Sequence, residues 1–223
     1  MATYSIDTIK RDARIILGEN ENITPLLTEQ SGESFDDWLA SERDTIIGDL
    51  ICKAVDRVHT LATADMVRDA ATNPTSGTTQ DAYCTRFKLG QSYSGGDFLR
   101  LCLVKLPKWR AAVRTLTATD SEEYAQAQSP IAIMRPNERH PMVTLVEKNG
   151  RALECYPGDT TGTGTSCLVV NKAVVSNGNV KCSKDCYDAM LYALAALYYT
   201  SIDERERAET MEKEMEKMLG LNE

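Results

Sequence analysis

The chain has 223 residues, of which 42% are hydrophobic, and a formal net charge of −8. This length suits one large domain or two small ones with a normal hydrophobic core, and the acidic balance argues against binding of polyanions by the surface as a whole. No apolar stretch approaches the roughly 20 residues needed to span a bilayer, and the N-terminal residues MATYSIDTIKRDA lack the pattern of a secretory signal.

Two helices are predicted in the N-terminal part of the chain. In the first, apolar residues recur at helical spacing over 6–17, between Ser5 as the N-cap and Gly18 as the residue that ends the helix. A connector with turn residues and a proline follows at 19–34. A longer helix is then predicted from about Phe35 to Leu61, because apolar residues again fall on one stripe.

The middle of the chain, 63–182, is predicted to be β-rich. It begins with a loop or extended arm over 63–82, which holds almost no large apolar residue. Asn149-Gly150 predicts a type I′ hairpin between two strand-like runs, and a short helix is expected at 120–128. The strand-like runs are YCTRFKL, DFLRLCLVKL, AAVRTLTA, MVTLVEK, RALECY and SCLVVNKAVV.

The last segment, from about 183 to 219, is predicted to be helical. It starts with an apolar stripe and becomes strongly charged beyond Ser201, with Met211, Met215 and Met218 on one edge. Two interpretations stay open for this charged part. It is either a solvated amphipathic helix stabilised by Glu/Lys pairs, or a helix that docks a partner through its methionines.

The predicted fold class is α+β, because helical segments at the two ends enclose a β-rich middle. We expect the N- and C-terminal helices, within 1–62 and 183–223, to pack together as a helical bundle. Each of them has only one apolar face and must cover it. Residues 63–182 would then be a β-rich insertion between the two halves of this helical core.

No motif for catalysis, for a metal or for a cofactor emerges from the sequence. The glycines of 157–166, PGDTTGTGTS, lie between two strand-like runs, where they are typical of a flexible hairpin tip and not of a phosphate loop. Seven cysteines scattered through apolar contexts favour free buried thiols over disulfides or zinc. His59 and His140 are both interpreted as surface residues. We therefore expect no enzyme and no cofactor.

One basic stretch stands out in this acidic chain. Residues 97–116, DFLRLCLVKLPKWRAAVRTL, hold five basic side chains against Asp97 and one of the two tryptophans. Three interpretations are weighed: a turn solvated by its charges, a contact between subunits, or a contact with DNA phosphates. Tryptophan and arginine are enriched at protein interfaces, whereas binding to phosphates usually needs more than one such patch.

The order and texture of these elements resemble the head–tail connector proteins, also called adaptor or ring proteins, of tailed bacteriophages, and most closely those of crAss-like phages. The resemblance covers most of the chain and is weakest over 63–96 and 157–181. The stretches that carry it are DFLRLCLVKLPKWRAAVRTLTATDSEEYAQAQ, MVTLVEKNGRALECY and YDAMLYALAALYYTSIDERERAETMEKEMEKML.

This resemblance implies a structural virion protein, assembled in the host bacterial cytoplasm, that forms a homo-oligomeric ring, usually a dodecamer, below the portal. Such a ring extends the channel through which double-stranded DNA passes without sequence-specific binding, and it presents a platform for the tail. The expected partners are the portal protein and other connector or tail proteins, and no membrane is involved.

Residues for the contact between subunits are proposed from the basic stretch and from the last helix, and the acidic helix 203–219 is one candidate partner of the basic turn. The alternatives are a DNA-binding or packaging-associated protein that uses 97–116, a tail-side (tail completion) protein, and, third, an enzyme such as a cysteine-dependent hydrolase. The candidate interface residues are Lys105, Lys108, Trp109, Arg110, Arg114, Met211, Met215 and Met218.

Overall fold

The chain folds as an α+β protein, as the sequence predicts. The structure is a computed structural model, and it divides into two compact units. The helical unit combines Met1–Asp69 with Ala173–Glu223, and the β unit consists of Ala70–Lys172. The residues that the structure describes are 2–18, 35–74, 78–81, 83–89, 97–147, 151–159 and 164–221.

The first helix has the ends that the sequence predicts. A short strand, β1 (Ala2–Ser5), leads directly into α1 (Ile6–Ile16), and the Ser5 hydroxyl accepts a hydrogen bond from the Thr8 N–H at 3.1 Å. Gly18 follows the helix with a φ of +80°, a conformation that glycine adopts without steric cost. The predicted N-cap and the predicted end of α1 are both confirmed.

The helical unit is organised around α4 (Tyr187–Ser201). This helix packs against α1, against α2 (Phe35–Leu61), whose limits match the prediction, and against α5 (Arg205–Met218). Eight of the fifteen residues of α4 are buried, and four of these are alanines. A helix that is apolar on most sides must be covered on most sides, which explains its central place. Among the described residues, no helix is both long and apolar enough to cross a membrane.

The charged C-terminal segment is a separate helix, which corrects the prediction of one helical run over 183–219. The break lies between Ser201 and Arg205, where Asp203 has a φ of +60° and the Glu204 N–H donates to the Tyr199 carbonyl at 2.9 Å. Because α5 has a single apolar edge, it can bury that edge only by folding back onto α4. The side chains it buries are those of Ala208 and Met215.

Two short strands of the helical unit lack any sequence signal. β1 pairs in antiparallel orientation with β8 (Asn179–Cys182), with Tyr4 opposite Val180. The Tyr4 ring also stacks on the Tyr187 ring at the start of α4, with their centroids 4.0 Å apart. Four-residue strands are too short to show an alternating pattern, so only the fold brings them together.

The described part of the predicted arm, 63–74, is folded onto the helical unit at its start. Val67 is fully buried, and the Asp69 carboxylate accepts a hydrogen bond from the Lys184 backbone N–H at 3.1 Å. Although it has few large apolar residues, the segment is thus held by one buried valine and by a hydrogen bond to the backbone before α4. Of the two predicted alternatives, the loop is therefore correct for 63–74 and the extended arm is wrong there. Residues 78–81 form a strand, and residues 75–77 and 82 lie outside the described residues.

The β unit contains two antiparallel sheets. A four-stranded sheet has the strand order β2-β3-β6-β5, and a two-stranded sheet pairs β4 with β7. Five of these strands lie in predicted strand-like runs, whereas β2 lies in the predicted arm. The limits of the strands are Thr78–Asp81 for β2, Cys84–Lys88 for β3, Phe98–Lys105 for β4, Met142–Val146 for β5, Ala152–Tyr156 for β6 and Ser166–Asn171 for β7.

The two sheets share one core. Strand alternation turns Phe87, Val143 and Leu153 to one face of the four-stranded sheet, where they join a buried cluster with Val104 and Val169 of the other sheet. The opposite face of the four-stranded sheet packs against α3 (Glu122–Ala127). The four-stranded sheet therefore buries side chains on both of its faces.

Two local predictions within the β unit are confirmed, and one is wrong. The short helix expected at 120–128 is α3, which is capped by the Ser121 hydroxyl through a hydrogen bond from the Tyr124 N–H at 3.2 Å. The strand-like runs on the two sides of Asn149-Gly150 pair as β5 and β6 in antiparallel orientation. The Asn149-Gly150 turn lies outside the described residues. The run AAVRTLTA forms isolated bridges instead of a strand, at Val113 with β4 and at Thr117 with β5.

His59 is buried inside the helical unit, although the sequence predicts it at the surface. Its Nε2 atom accepts a hydrogen bond from the Ser183 backbone N–H at 3.2 Å and lies 3.7 Å from the Cys182 sulfur. This geometry places the imidazole proton on Nδ1, because Nε2 is the acceptor. His59 therefore joins α2 to the segment that precedes α4.

We expect His59→Leu to lower the free energy of unfolding by about 1–3 kcal/mol, because the buried Ser183 N–H would lose its acceptor. The matched control is His140→Leu, at an exposed loop position, which should change stability by less than about 0.5 kcal/mol. Urea denaturation followed by circular dichroism measures both values. Equal effects of the two substitutions would contradict the structural role of His59.

Candidate functional site

The basic turn after β4 buries its tryptophan. The Trp109 side chain is 2% exposed, belongs to the core of the β unit, and donates its indole N–H to the Pro157 carbonyl at 2.9 Å. This corrects the prediction that Trp109 is an exposed anchor for another subunit. The physical reason is that the turn folds back over the end of β4, which brings the indole into the core that the two sheets share and leaves Lys108 and Arg110 exposed.

A buried carboxylate holds this turn in place. Asp159 has a side chain that is 1% exposed; one oxygen accepts from the Lys108 backbone N–H at 3.2 Å, and the other lies 3.8 Å from the Lys108 Nζ. The Thr85 hydroxyl accepts from the Asp159 N–H at 2.9 Å and donates to the Asp159 carbonyl at 3.3 Å. A buried charge needs partners, and both partners of the carboxylate belong to Lys108 in the turn, while Thr85 of β3 holds the Asp159 backbone.

Residues 157–159 form a fixed corner at the start of the connection between β6 and β7. These two strands belong to different sheets and do not pair, so the prediction of a hairpin over 157–166 is wrong; residues 160–163 lie outside the described residues. At Gly158 an added Cβ would lie 2.6 Å from the Cys84 carbonyl carbon, so only glycine fits against this backbone. The Gly158 N–H donates to the Tyr83 carbonyl at 2.5 Å, which ties the corner to the residue before β3.

An open groove of about 590 Å³ lies beside the basic turn. Its lining carries three arginines and one glutamate, which gives three minus one, or a net charge of +2. We call this feature the arginine groove. Besides two prolines, it is lined by Tyr83, Arg110, Arg135, Asn137, Glu138 and Arg139.

The loop that forms one wall of the arginine groove is held by local hydrogen bonds. The Asn137 side-chain oxygen accepts from the backbone N–H groups of Arg139 at 3.0 Å and of His140 at 3.2 Å. The Arg110 N–H donates to the Glu138 carbonyl at 2.8 Å, which joins the loop to the basic turn. These bonds set the positions of two groove arginines before any ligand arrives.

The three arginines differ in how their guanidinium groups are engaged. Arg135 lies over the Tyr83 ring, 4.0 Å from its centroid, and its Nε donates to the Ser129 carbonyl at 2.5 Å. Arg110 and Arg139 are exposed, and within the part of the chain that the structure describes no carboxylate lies within ion-pair distance of either. The groove thus holds one stacked cation and two that face solvent.

Exposed apolar side chains lie next to the arginine groove in the chain. Ile133 is 93% exposed, and Ile131 and Met134 are about half exposed, around a 3₁₀ turn at Ala132–Met134. We call these three side chains the apolar knob. Large apolar side chains gathered on one exposed turn, directly before a cationic groove wall, are typical of a protein contact surface.

The structure separates the predicted basic interface residues. Arg110 lines the arginine groove, whereas Lys108 faces the buried Asp159 carboxylate. Lys105 and Arg114 are exposed on the β unit. The sequence did not single out Arg135, Arg139 or the apolar knob. Their signal is weak, since SPIAIMRPNERHP shows only that apolar and basic residues occur in a proline-rich loop with no strand period.

The methionines of the last helix are not a common surface. Met215 is 1% exposed and packs inside the helical unit, Met211 is half-buried and Met218 is exposed. The prediction is therefore corrected for Met215, because the apolar edge of α5 is used to hold α5 on its own unit. Acidic side chains of α5 are also engaged there: Glu212 forms an ion pair with Arg57 of α2, and Glu214 with Lys217.

The cysteine–histidine pair of the helical unit does not have the properties of a catalytic nucleophile. Cys182 lies 3.7 Å from His59, but both side chains are buried. Burial raises the pKa of the Cys182 thiol to about 12, so the reactive thiolate is not formed near neutral pH. Among the described residues, no group of three or more His, Cys, Asp or Glu side chains is placed to hold a metal ion.

Comparison with known proteins identifies no relative of this chain: no protein-family model, no curated protein and no solved structure matches it.

We expect Trp109→Ala to lower the free energy of unfolding by about 3–5 kcal/mol, as is typical when a large buried aromatic side chain is truncated. Arg110→Ala, one position further along the same turn, should change it by less than about 0.5 kcal/mol. Thermal and urea denaturation measure both. A Trp109→Ala protein as stable as wild type would contradict the burial of the indole.

We also expect Cys182 to resist alkylation in the folded protein. With a pKa of about 12, its thiolate fraction at pH 7.5 is on the order of 10³ times smaller than that of an unperturbed cysteine. Iodoacetamide labelling followed by peptide mass spectrometry measures the rate, with the half-buried Cys52 as the internal control. Labelling of Cys182 before Cys52 would contradict this and favour the enzyme alternative.

Proposed function

We propose that this chain is a structural virion protein that forms a ring, a dodecamer, in the head–tail connector of a tailed bacteriophage, below the portal. In this proposal it is not an enzyme. The ring extends the DNA channel and provides a platform for tail attachment, and the protein is located in the virion. The helices α1, α2, α4 and α5 act as the bundle that carries the ring, with the β unit as an insertion between their two halves.

The observation that carries the proposal is the apolar knob beside the arginine groove. A ring subunit needs a contact surface that fits a different surface of its neighbour, because a head-to-tail interface is not self-complementary. Ile133 and the exposed guanidinium groups of Arg110 and Arg139 have the chemistry of such a surface. The order of the helical and β-rich segments resembles that of connector proteins, and this resemblance suggests that the assembly is a connector ring.

A second candidate function is DNA binding or packaging, and the gathering of Arg110, Arg135 and Arg139 in one groove favours it. Arginine side chains bind phosphates as well as carboxylates. The apolar knob argues for the protein contact, since exposed isoleucine and methionine side chains gain nothing from a phosphate backbone. A role as a tail-side structural protein would use the same contact surface and is distinguished by the partner that binds.

We expect the purified protein, alone or with the portal protein encoded by the same genome, to form closed rings of about twelve copies. Light scattering gives the mass, and negative-stain images of the same sample show whether the assembly closes. A chain that stays monomeric in both conditions would contradict the proposal. If that monomer bound duplex DNA with an affinity that fell steeply with salt, the DNA-binding alternative would replace it.

A further inference from the structure

We propose that the arginine groove and the apolar knob bind an acidic segment of a second copy of this chain, and that residues 19–34 are that segment. The inference rests on the proposed ring, which requires each copy to contact the next, and it names the two partners of that contact. The cations of the groove and the apolar side chains of the knob, which together define the ligand, all belong to described residues of the β unit.

The first property is a set of three arginines that are partly fixed before binding, Arg135 by its guanidinium group and the other two by their backbone. Arg135 is stacked on Tyr83, and the Asn137 side chain fixes the backbone at Arg139. Arg110 and Arg139 project exposed guanidinium groups, with no carboxylate of the described chain in ion-pair range. Because the backbone at Arg110 and Arg139 is already held, binding carboxylates has to order only the two side chains, which favours a carboxylate-bearing ligand.

The second property is apolar surface that is exposed to water. Ile133 is 93% exposed, with Ile131 and Met134 beside it, and Arg135 follows directly in the chain. Burying these side chains would contribute roughly 25 cal/mol for each Å² removed from water. The ligand that fits both properties is a polypeptide with carboxylates next to large apolar side chains, and DNA supplies no such apolar groups.

Residues 19–34, ENENITPLLTEQSGES, have this composition. The segment holds four glutamates and no lysine or arginine, and its middle is apolar. The four acidic residues are Glu19, Glu21, Glu29 and Glu33, and the apolar ones are Ile23, Leu26 and Leu27. Charge complementarity therefore exists between two parts of the same sequence, as a head-to-tail contact between identical copies requires.

The acidic helix α5, which the sequence suggests as a partner of the basic turn, is less suitable. Glu212 is paired with Arg57 of α2, and Glu214 with Lys217. Met215, its central apolar residue, is buried in the helical unit. To bind the arginine groove, α5 would first have to break contacts inside its own unit, whereas 19–34 contains no basic side chain that could neutralise its glutamates.

The test measures, by anisotropy, binding of a fluorescent synthetic peptide with the sequence of 19–34 to the full chain. The chain is diluted until light scattering shows a monomer, so that no neighbouring copy fills the groove. The groove variant is Arg110→Glu/Arg139→Glu. The matched control is Lys181→Glu/Lys184→Glu, which makes the same change of net charge at exposed positions of the helical unit. We expect the groove variant to weaken binding at least about tenfold, the control to bind as wild type does, and Ile133→Ser to weaken binding as well.

Three further binding measurements determine which ligand occupies the arginine groove. A peptide in which the four glutamates are glutamines should bind at least about tenfold more weakly. A peptide of 203–219 and a duplex DNA should not compete with the 19–34 peptide at equal concentration. Absence of binding by the 19–34 peptide, equal binding to the groove variant, or displacement by either competitor would overturn the inference.

Mixing two variants tests whether the groove of one copy binds the segment of another copy. A copy with the groove variant and a copy with Glu21→Gln/Glu29→Gln each retain one intact partner surface. Their mixture should form dimers and no ring, because a neutral segment gains nothing from the reversed charges of the variant groove. A groove variant that still forms rings would overturn the inference and leave the ring proposal standing. A wild-type chain that binds the peptide but stays monomeric even with the portal protein would overturn both the ring and the role of a second copy.

Discussion

The arrangement of the candidate surface depends on the buried carboxylate of Asp159. The carboxylate accepts a hydrogen bond from the Lys108 backbone N–H and lies near the Lys108 ammonium group. The backbone of Asp159 both donates a hydrogen bond to the Thr85 hydroxyl and accepts one from it. Breaking one side of such a buried network leaves a charge without compensation, so the turn, the corner at 157–159 and strand β3 hold one geometry together. Trp109 completes this arrangement by filling the core beneath the turn.

This constraint sorts the cations of the basic stretch into structural and available ones. Lys108 lies opposite a carboxylate that is 1% exposed, so its charge has a structural partner within the β unit. Arg110 leaves the turn on the other side, where its backbone binds the Glu138 carbonyl and its side chain joins Arg139 in the arginine groove. A net charge counted along 97–116 does not reveal this division, because it depends on where each side chain goes after the turn.

Local signals account for the parts of the fold that the sequence predicted correctly. Ser5 and Gly18 bound α1, and Ser121 caps α3, through hydrogen bonds and backbone conformations that involve only near neighbours. The strand-like runs of the β unit carry their pattern within five to eight residues. Predictions failed where a residue is defined by distant partners, as with the burial of His59 beside Ser183 and of Trp109 beside Pro157.

By itself the sequence determined the α+β class, the ends of the first helices, most strands of the β unit and the presence of a basic stretch in an acidic chain. Only the tertiary structure decided which charges and apolar groups are available for contact. Arg135, Arg139 and Ile133 come from a loop without periodic pattern, and Arg110 reaches the same groove through a turn fixed by a buried carboxylate more than forty residues away. The physical reason is that availability depends on burial and pairing, and both are properties of contacts between segments far apart in the chain.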